Sequence, residues 1–487
     1  MKKTRILSLL LLASVFATAS CGGGSTDDKE TSPSGGETTT SAEQTGYKYP
    51  DKNFNGKEFT VMNYSNMWEC VMALDFAEQT GDRLDDAIYN RNRKVEEKLG
   101  FRMNEVATEY PGWSALTTTI DQLMTGIMAG DKTYDAAYIP ISFKPGLVTE
   151  GYLYDLYQLP GMNLSEEWWD QAMVNSLTID GKLFAVSSPL HLMALDMSWV
   201  TLFNQDMMDD MKIEYPYQLV RDGKWTIDKW NEYVTKAASL NGDDSFTYSK
   251  DGKATYGIAH HPTAIEGMIY AAGNELVVNG KNGYELNLES ERLYNSLEKI
   301  YKLLDKTNGN REGGTDSNQA NFYYSMFRES RAMFLTCELK SASVMRDMDA
   351  TFGLLPYPKY DESQENYQTL MNASSCLLTV PNNIEDPEFT GIVLDALSYE
   401  SLQSVLPEYY DVSLSQKGLR NDESIEMLQI IRNTRGIEFA RIFGVTTSLL
   451  EKLRALADSG SDTYVSVIAS NKAQVAENLQ KLLDSLN

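Results

Sequence analysis

Apolar and polar positions along the first third of this chain follow two periods in turn. Glu58-Phe59-Thr60-Val61-Met62, Phe101 to Val106 and Tyr134 to Ile139 are short apolar runs that predict strands. Between them, Leu84, Ile88, Val95 and Leu99, then Leu116, Ile120, Leu123, Met124 and Ile127, recur at the spacing of one helix face. Asp82 supplies an N-cap for the first helix, and Gly100 and Gly130 stop the two helices. Strand, helix, strand, helix, strand predicts a largely parallel sheet. Open α/β sheets hold their ligands at the carboxyl ends of the strands. Asn63, Tyr64 and Trp68 after the first strand, and Ser142 after the third, are therefore candidates.

The pattern changes at Ile179. Asp180-Gly181 marks a tight turn, since glycine takes positive φ without steric cost. Leu183-Phe184-Ala185-Val186 predicts a short strand, which Pro189 interrupts by removing a ladder donor. The apolar segment Leu190 to Phe203 resumes beyond the break and carries His191, Asp196 and Trp199; Asn204 can cap the next helix. An extended segment broken by proline, with isolated polar groups, suits a crossover between two lobes.

Farther on, Thr226 is an N-cap, and Trp225 and Trp230 bracket the first helical turn as packing residues. Asn241 to Thr255 is polar and turn-rich and predicts an exposed hairpin. Thr263 and Glu266 have capping-box spacing, which sets His260 and His261 beside free helix N-terminal amides. Ala332 to Glu338 predicts a buried strand ending on a carboxylate. Pro356 and Pro358 around Tyr357 predict a stiff second crossover, and Asn372 to Val380 a returning strand. The C-terminal helix packs through Val475, Leu479, Leu482 and Leu486.

Several of these segments resemble family 1 extracellular solute-binding proteins, the substrate-binding components of bacterial ABC importers. Gly181-Lys182-Leu183-Phe184-Ala185-Val186 followed by Leu202-Phe203-Asn204-Gln205-Asp206 is similar to a family segment. So are the stretch Asp85 to Gly100, Gly223-Lys224-Trp225-Thr226, Phe352 to Lys359, and Pro407-Glu408-Tyr409-Tyr410-Asp411 with Asp422-Glu423-Ser424. The chain departs from the family pattern at Asn421 and in lacking a tryptophan beside Glu338. The resemblance implies an α/β, two-lobed type II periplasmic-binding-protein-like fold. Each lobe would be a mixed sheet flanked by helices, with hinge crossovers between the lobes. It assigns residues 51–190 and 356–410 to the first lobe, and 191–355 and 411–487 to the second. It also implies free thiols at Cys337 and Cys376, because a bridge between them would tie the lobes together.

The ends add a location. Met1 to Arg5 is a basic segment and Ile6 to Ala17 a short apolar one, too short to span a bilayer. Residues 1–20 read as a lipoprotein signal peptide, with Thr18-Ala19-Ser20-Cys21 as a lipobox and Cys21 as the lipidated residue. Residues 21–50, rich in Gly, Ser, Thr and acids, read as a flexible tether. About 430 residues follow, too many for one core and enough for two. A net charge of −26 argues against nucleic acid, which needs a basic face. Three histidines without clustered thiols offer no metal site, and no cofactor motif is present.

The expected protein is a non-enzymatic, monomeric, lipid-anchored substrate-binding component of an ABC importer, on the extracellular or periplasmic side of the cell membrane. Its ligand would be a small polar solute, a sugar or oligosaccharide whose ring faces stack on aromatic side chains. Its partners would be that solute, the importer's membrane subunits and the membrane itself. The candidate ligand-binding residues are Asn63, Tyr64, Trp68, Ser142, His191, Asp196, Trp199, His260, Glu338, Asn372 and Tyr410, with Trp68 and Trp199 as stacking platforms. The alternatives are a surface-anchored carbohydrate-active enzyme, or a binding lipoprotein that senses rather than transports.

Overall fold

A computed structural model describes residues 47–280, 283–305, 310–312, 322–411 and 422–486. The signal peptide, Cys21, nearly all of the tether and Asn421 lie outside the described residues.

Among the described residues thirteen strands follow one another: β1 (Lys57–Ser65), β2 (Phe101–Glu109), β3 (Ala136–Ile139), β4 (Trp199–Asn204), β5 (Tyr256–His260), β6 (Val277–Gly280), β7 (Gly283–Leu286), β8 (Asn310–Glu312), β9 (Ala332–Glu338), β10 (Phe352–Leu355), β11 (Thr369–Leu370), β12 (Leu377–Thr379) and β13 (Arg435–Gly436). They form a four-stranded sheet in the order β12-β3-β1-β2, a five-stranded sheet in the order β10-β4-β9-β5-β8, and two strand pairs. β1 runs parallel to β2 and β3, and β12 is antiparallel to β3. In the second sheet β5 is parallel to β8 and β9, while β4 is antiparallel to β9 and β10. Both sheets are therefore mixed, one to each lobe.

The first helix, Arg83–Leu99, forms as its sequence predicts. The Asp82 carboxylate accepts from the amides of Leu84 and Asp85, and Gly100 leaves the helix at φ 66°. A side chain at Gly100 would strike Asn53, so glycine is needed there for space as well as for backbone angle. Thr226 caps the helix Ile227–Ala237 through Lys229, and Trp225 and Trp230 are wholly buried around its start. The helix Tyr464–Leu486 buries Val475, Leu479, Leu482 and Leu486. Ser239 and Thr255 pair across the turn-rich segment between them.

The crossovers differ from expectation. Residues 183–186 form no strand; a single pairing of Val186 with Leu378 joins them to the first sheet. Of the crossover's polar residues, Asp196 sits on a short helix, Met193–Asp196, and His191 precedes it; β4 then begins at Trp199. The two prolines do not cross. Trp225 Nε1 donates to the Pro356 carbonyl and Thr226 pairs with Lys359, so this stiff segment packs on the second sheet's helices. The passage lies later, at 371–376, where Met371 pairs with Ser198 and the Asn372 amide donates to the Met197 carbonyl at 2.8 Å. Only Leu377–Thr379 of the expected returning strand is extended, because Ser375 turns back onto Asn372. The expected capping box is also absent. The Thr263 side chain makes no cap bond, and Glu266 pairs with Arg441 instead.

Candidate functional site

Beyond Ser65 the chain turns through Asn66, Trp68 and Glu69 at φ of 53°, 54° and 62°. Left-handed backbone at non-glycine residues costs roughly 1–3 kcal/mol each and persists only where surroundings impose it. Here they do. Buried Asn63 donates through Nδ2 to the Met72 carbonyl at 2.7 Å and to Glu105 Oε1 at 2.6 Å. Glu105 Oε2 accepts the amides of Leu74 and Asp75, each at 3.0 Å. Asn92 donates to the Leu74 carbonyl, Asp196 accepts the Val71 amide at 2.7 Å, and Lys340 Nζ donates to the Trp68 carbonyl.

This pinned loop brings Trp68 and Glu69 to the wall of a cavity of about 460 Å³. Trp113, from the turn after β2, stands beside Trp68 with ring centroids 5.9 Å apart and planes inclined by 36°. It is 64% exposed, an uncovered indole in a cavity wall. Elements of the second sheet also line the cavity: His261, Thr263 and Glu266 beyond β5, Tyr323 and Tyr324, and Glu338 and Lys340 at the end of β9. The crossovers supply Met197, Asn372 and Ser374, and the helical segments near the C-terminus supply Arg441, Glu451 and Arg454.

Polar groups in this cavity are set by specific contacts. The Thr263 amide donates to His261 Nδ1 at 3.1 Å, which leaves the neutral ring's proton on Nε2. Burial lowers the His261 pKa, so the ring stays neutral near pH 7. Burial raises the Glu266 pKa, against the opposing pull of Arg441, whose Nε lies 3.2 Å from Oε2. Burial also raises the hydroxyl pKa values of Tyr323 and Tyr324, whose rings lie 4.3 Å apart. Asn372 Nδ2 donates to Glu338 Oε1 at 3.1 Å. Aromatic rings together with carboxylates, amide and hydroxyl groups can grip a ring-shaped, hydroxyl-rich ligand: faces stack and edges hydrogen-bond.

Of the residues proposed from sequence, Trp68, Glu338 and Asn372 line this cavity. The others lie elsewhere. Asn63 anchors the loop. Tyr64 is buried and donates to the Leu116 carbonyl, and Ser142 donates to the Ala373 carbonyl at 2.7 Å. His191 stacks on Tyr138 at 4.4 Å, with Nε2 3.2 Å from Asn63 Oδ1; burial lowers its pKa to about 3, so Nε2 is the donor. Asp196 accepts from the Tyr409 hydroxyl at 2.6 Å. Trp199 is 1% exposed and belongs to the core rather than to a stacking surface. Its ring abuts Gly267, where an added Cβ would lie 2.9 Å from Cγ. His260 is buried at the end of β5, and its neighbour His261, just beyond the strand, lines the cavity. Tyr410 borders a separate cavity. Trp113, the Tyr323-Tyr324 pair and the C-terminal contributions went unrecognised in the sequence. An indole in the turn Tyr110-Pro111-Gly112-Trp113 was the one available signal.

The whole described body has solved counterparts. An ABC substrate-binding protein from Listeria monocytogenes in complex with cycloalternan aligns at a TM-score of 0.56 and 12% identity, over 87% of this chain and 99% of that one. A cyclo/maltodextrin-binding protein complexed with maltotetraose aligns at 0.58 and 13%, over 87% and 98%. The galacto-N-biose/lacto-N-biose I-binding protein of an ABC transporter from Bifidobacterium longum, bound to lacto-N-biose, aligns at 0.56 and 12%, over 88% and 99%. The fold is that of the two-lobed periplasmic binding proteins. No family model and no curated protein matches the sequence. The Trp68 cavity is lined by residues from elements of both sheets and from the crossovers.

Proposed function

We propose that this chain is the lipid-anchored, extracellular substrate-binding component of an ABC importer, and that it closes its two lobes on a sugar or oligosaccharide. One observation carries the reading: a cavity of about 460 Å³ is lined by the aromatic rings of Trp68, Trp113, Tyr323 and Tyr324 together with the polar groups of Glu338 and Asn372. The kinds of ligand held by the three solved counterparts support the same class. The lobes are taken as 51–190 with the segment beyond the second crossing, and as the remainder around β4, β5, β9 and β10. The second boundary moves from 356 to 371, because Pro356 to Leu370 packs with the second sheet's elements.

The purified chain without its leader is screened by thermal shift against sugars, oligosaccharides and peptides, with product analysis on every positive. A saturable shift with a saccharide, and no conversion of it, is the expected result. A shift with peptides alone would overturn the ligand class, and turnover would overturn the binding role. Anchoring is tested separately: Cys21→Ala releases the protein from the membrane fraction if Cys21 carries lipid.

A further inference from the structure

On another part of the described body, a cavity of about 240 Å³ is bordered by Pro189 of the first crossover, Asp170, Tyr410, Arg432 and Arg435. Its residues come from both sides. Asp170 follows Trp168 and Trp169, whose indoles donate to Asp395 on the helix Pro387–Glu400, which packs beside Arg83–Leu99 over the first sheet. Arg432 ends the helix Asp422–Asn433, which packs on β10 of the second sheet.

The arginines are incompletely matched. Arg435 pairs through Nη2 with Asp170, while its buried Nε and Nη1 have no hydrogen-bond partner. The other oxygen of Asp170 accepts the Met173 amide at 3.2 Å. The Arg435 side chain is only 13% exposed, so water offers its free donors little compensation. Arg432 adds a second guanidinium, 5.0 Å over the Tyr410 ring. A buried guanidinium with spare donors is a poor resting state in a chain of net charge −26, and those donors can hydrogen-bond the oxygens of a carboxylate or phosphate.

We propose that this cavity is a second binding site, for a small oxyanion, distinct from the Trp68 cavity and touching both sides of the crossover. Arg435 supplies its free Nε and Nη1 donors, which lie on different edges of the guanidinium, and Arg432 the second positive charge.

The test uses the purified chain in thermal shift and calorimetry, titrated with sodium phosphate, sodium sulfate and sodium acetate against sodium chloride at matched ionic strength. Matching matters because a strongly acidic chain responds to salt alone. A saturable response to at least one oxyanion beyond the chloride response is expected, and which anion gives it separates phosphate-type from carboxylate ligands. Arg432→Gln changes an exposed side chain and should weaken that response several-fold without altering the melting transition of the anion-free protein. Arg435→Lys keeps the charge toward Asp170 but loses the fork, and should weaken it at least tenfold. Arg102→Gln, at an exposed side chain outside the lining of this cavity, should leave it unchanged. Equal responses to all four salts, or a response that Arg432→Gln leaves intact, would overturn the site. Since no saccharide enters these titrations, the outcome does not depend on the proposed transport role.

Discussion

Asn372 Nδ2 donates to Glu338 Oε1 across 3.1 Å, and this bond fastens the second crossing to the end of β9. It sets the two polar groups side by side in the wall of the Trp68 cavity. Asn372→Asp would replace the donor with a second carboxylate. Like charges so close cannot both ionise without cost, so one pKa rises. The added stability of the protonated pair is present at low pH and lost as pH rises through the raised value. The variant should therefore be about 2 kcal/mol less stable than the parent near neutrality, and closer to it near pH 4, by denaturant unfolding.

Trp68 and Trp199 separate binding from folding. Trp68→Ala should cost about 2 kcal/mol or more of saccharide affinity by calorimetry, as for buried aromatic anchors, with a near-parental melting transition. Trp113→Ala should weaken binding similarly in direction. Trp199→Ala empties a core position and should cost about 3–5 kcal/mol of stability. Unchanged affinity in both Trp68→Ala and Trp113→Ala would remove the aromatic wall from the site.

Gly267 reports the same core from the other side. Its Cβ would lie 2.8 Å from Tyr357 and 2.9 Å from Trp199. Gly267→Ala gains helix propensity yet should lose about 1–3 kcal/mol by overpacking, measured as a lower denaturant midpoint at unchanged slope.

Asp196 gives a pH signature. Burial pushes its pKa up to about 6, with the Tyr409 and Val71 hydrogen bonds working the other way. An acid raised on folding stabilises most below its unfolded pKa and loses that contribution as pH rises through the folded value. Between about pH 4 and 6 the parent should lose up to roughly 3 kcal/mol from this group. Asp196→Asn should flatten that part of the stability profile.

Cys70, Cys337 and Cys376 are free, and burial raises each thiol's pKa. Native protein at pH 7.5 should alkylate slowly at half-buried Cys70 and not at the other two. All three should label on unfolding, by mass spectrometry. A Cys337–Cys376 bridge would contradict the separation of the two sheets.

Local rules were enough for much of this protein. Asp82, Gly100 and Thr226 end or begin helices through bonds to their own neighbours, and the βαβ order of the first sheet follows from period alone. Segment resemblance carried the lobed fold; strand-end position picked out Trp68 and Glu338, and the return segment Asn372, three residues that line one cavity. What tertiary structure decided was burial and facing. Trp199 and His191 look like exposed polar or aromatic punctuation in sequence, yet Gly267 and Tyr138 supply them with core partners from distant segments. His261 rather than His260 reaches the cavity: β5 ends at His260, which stays buried in the sheet, and the chain leaves the sheet at His261. The Thr263–Glu266 spacing fits a cap, but a buried Arg441 from far down the chain competes for the carboxylate and wins, since an unpaired buried charge costs more than a missing cap. Chain-local patterns determine elements; which of their side chains meet a ligand depends on neighbours that no local window contains.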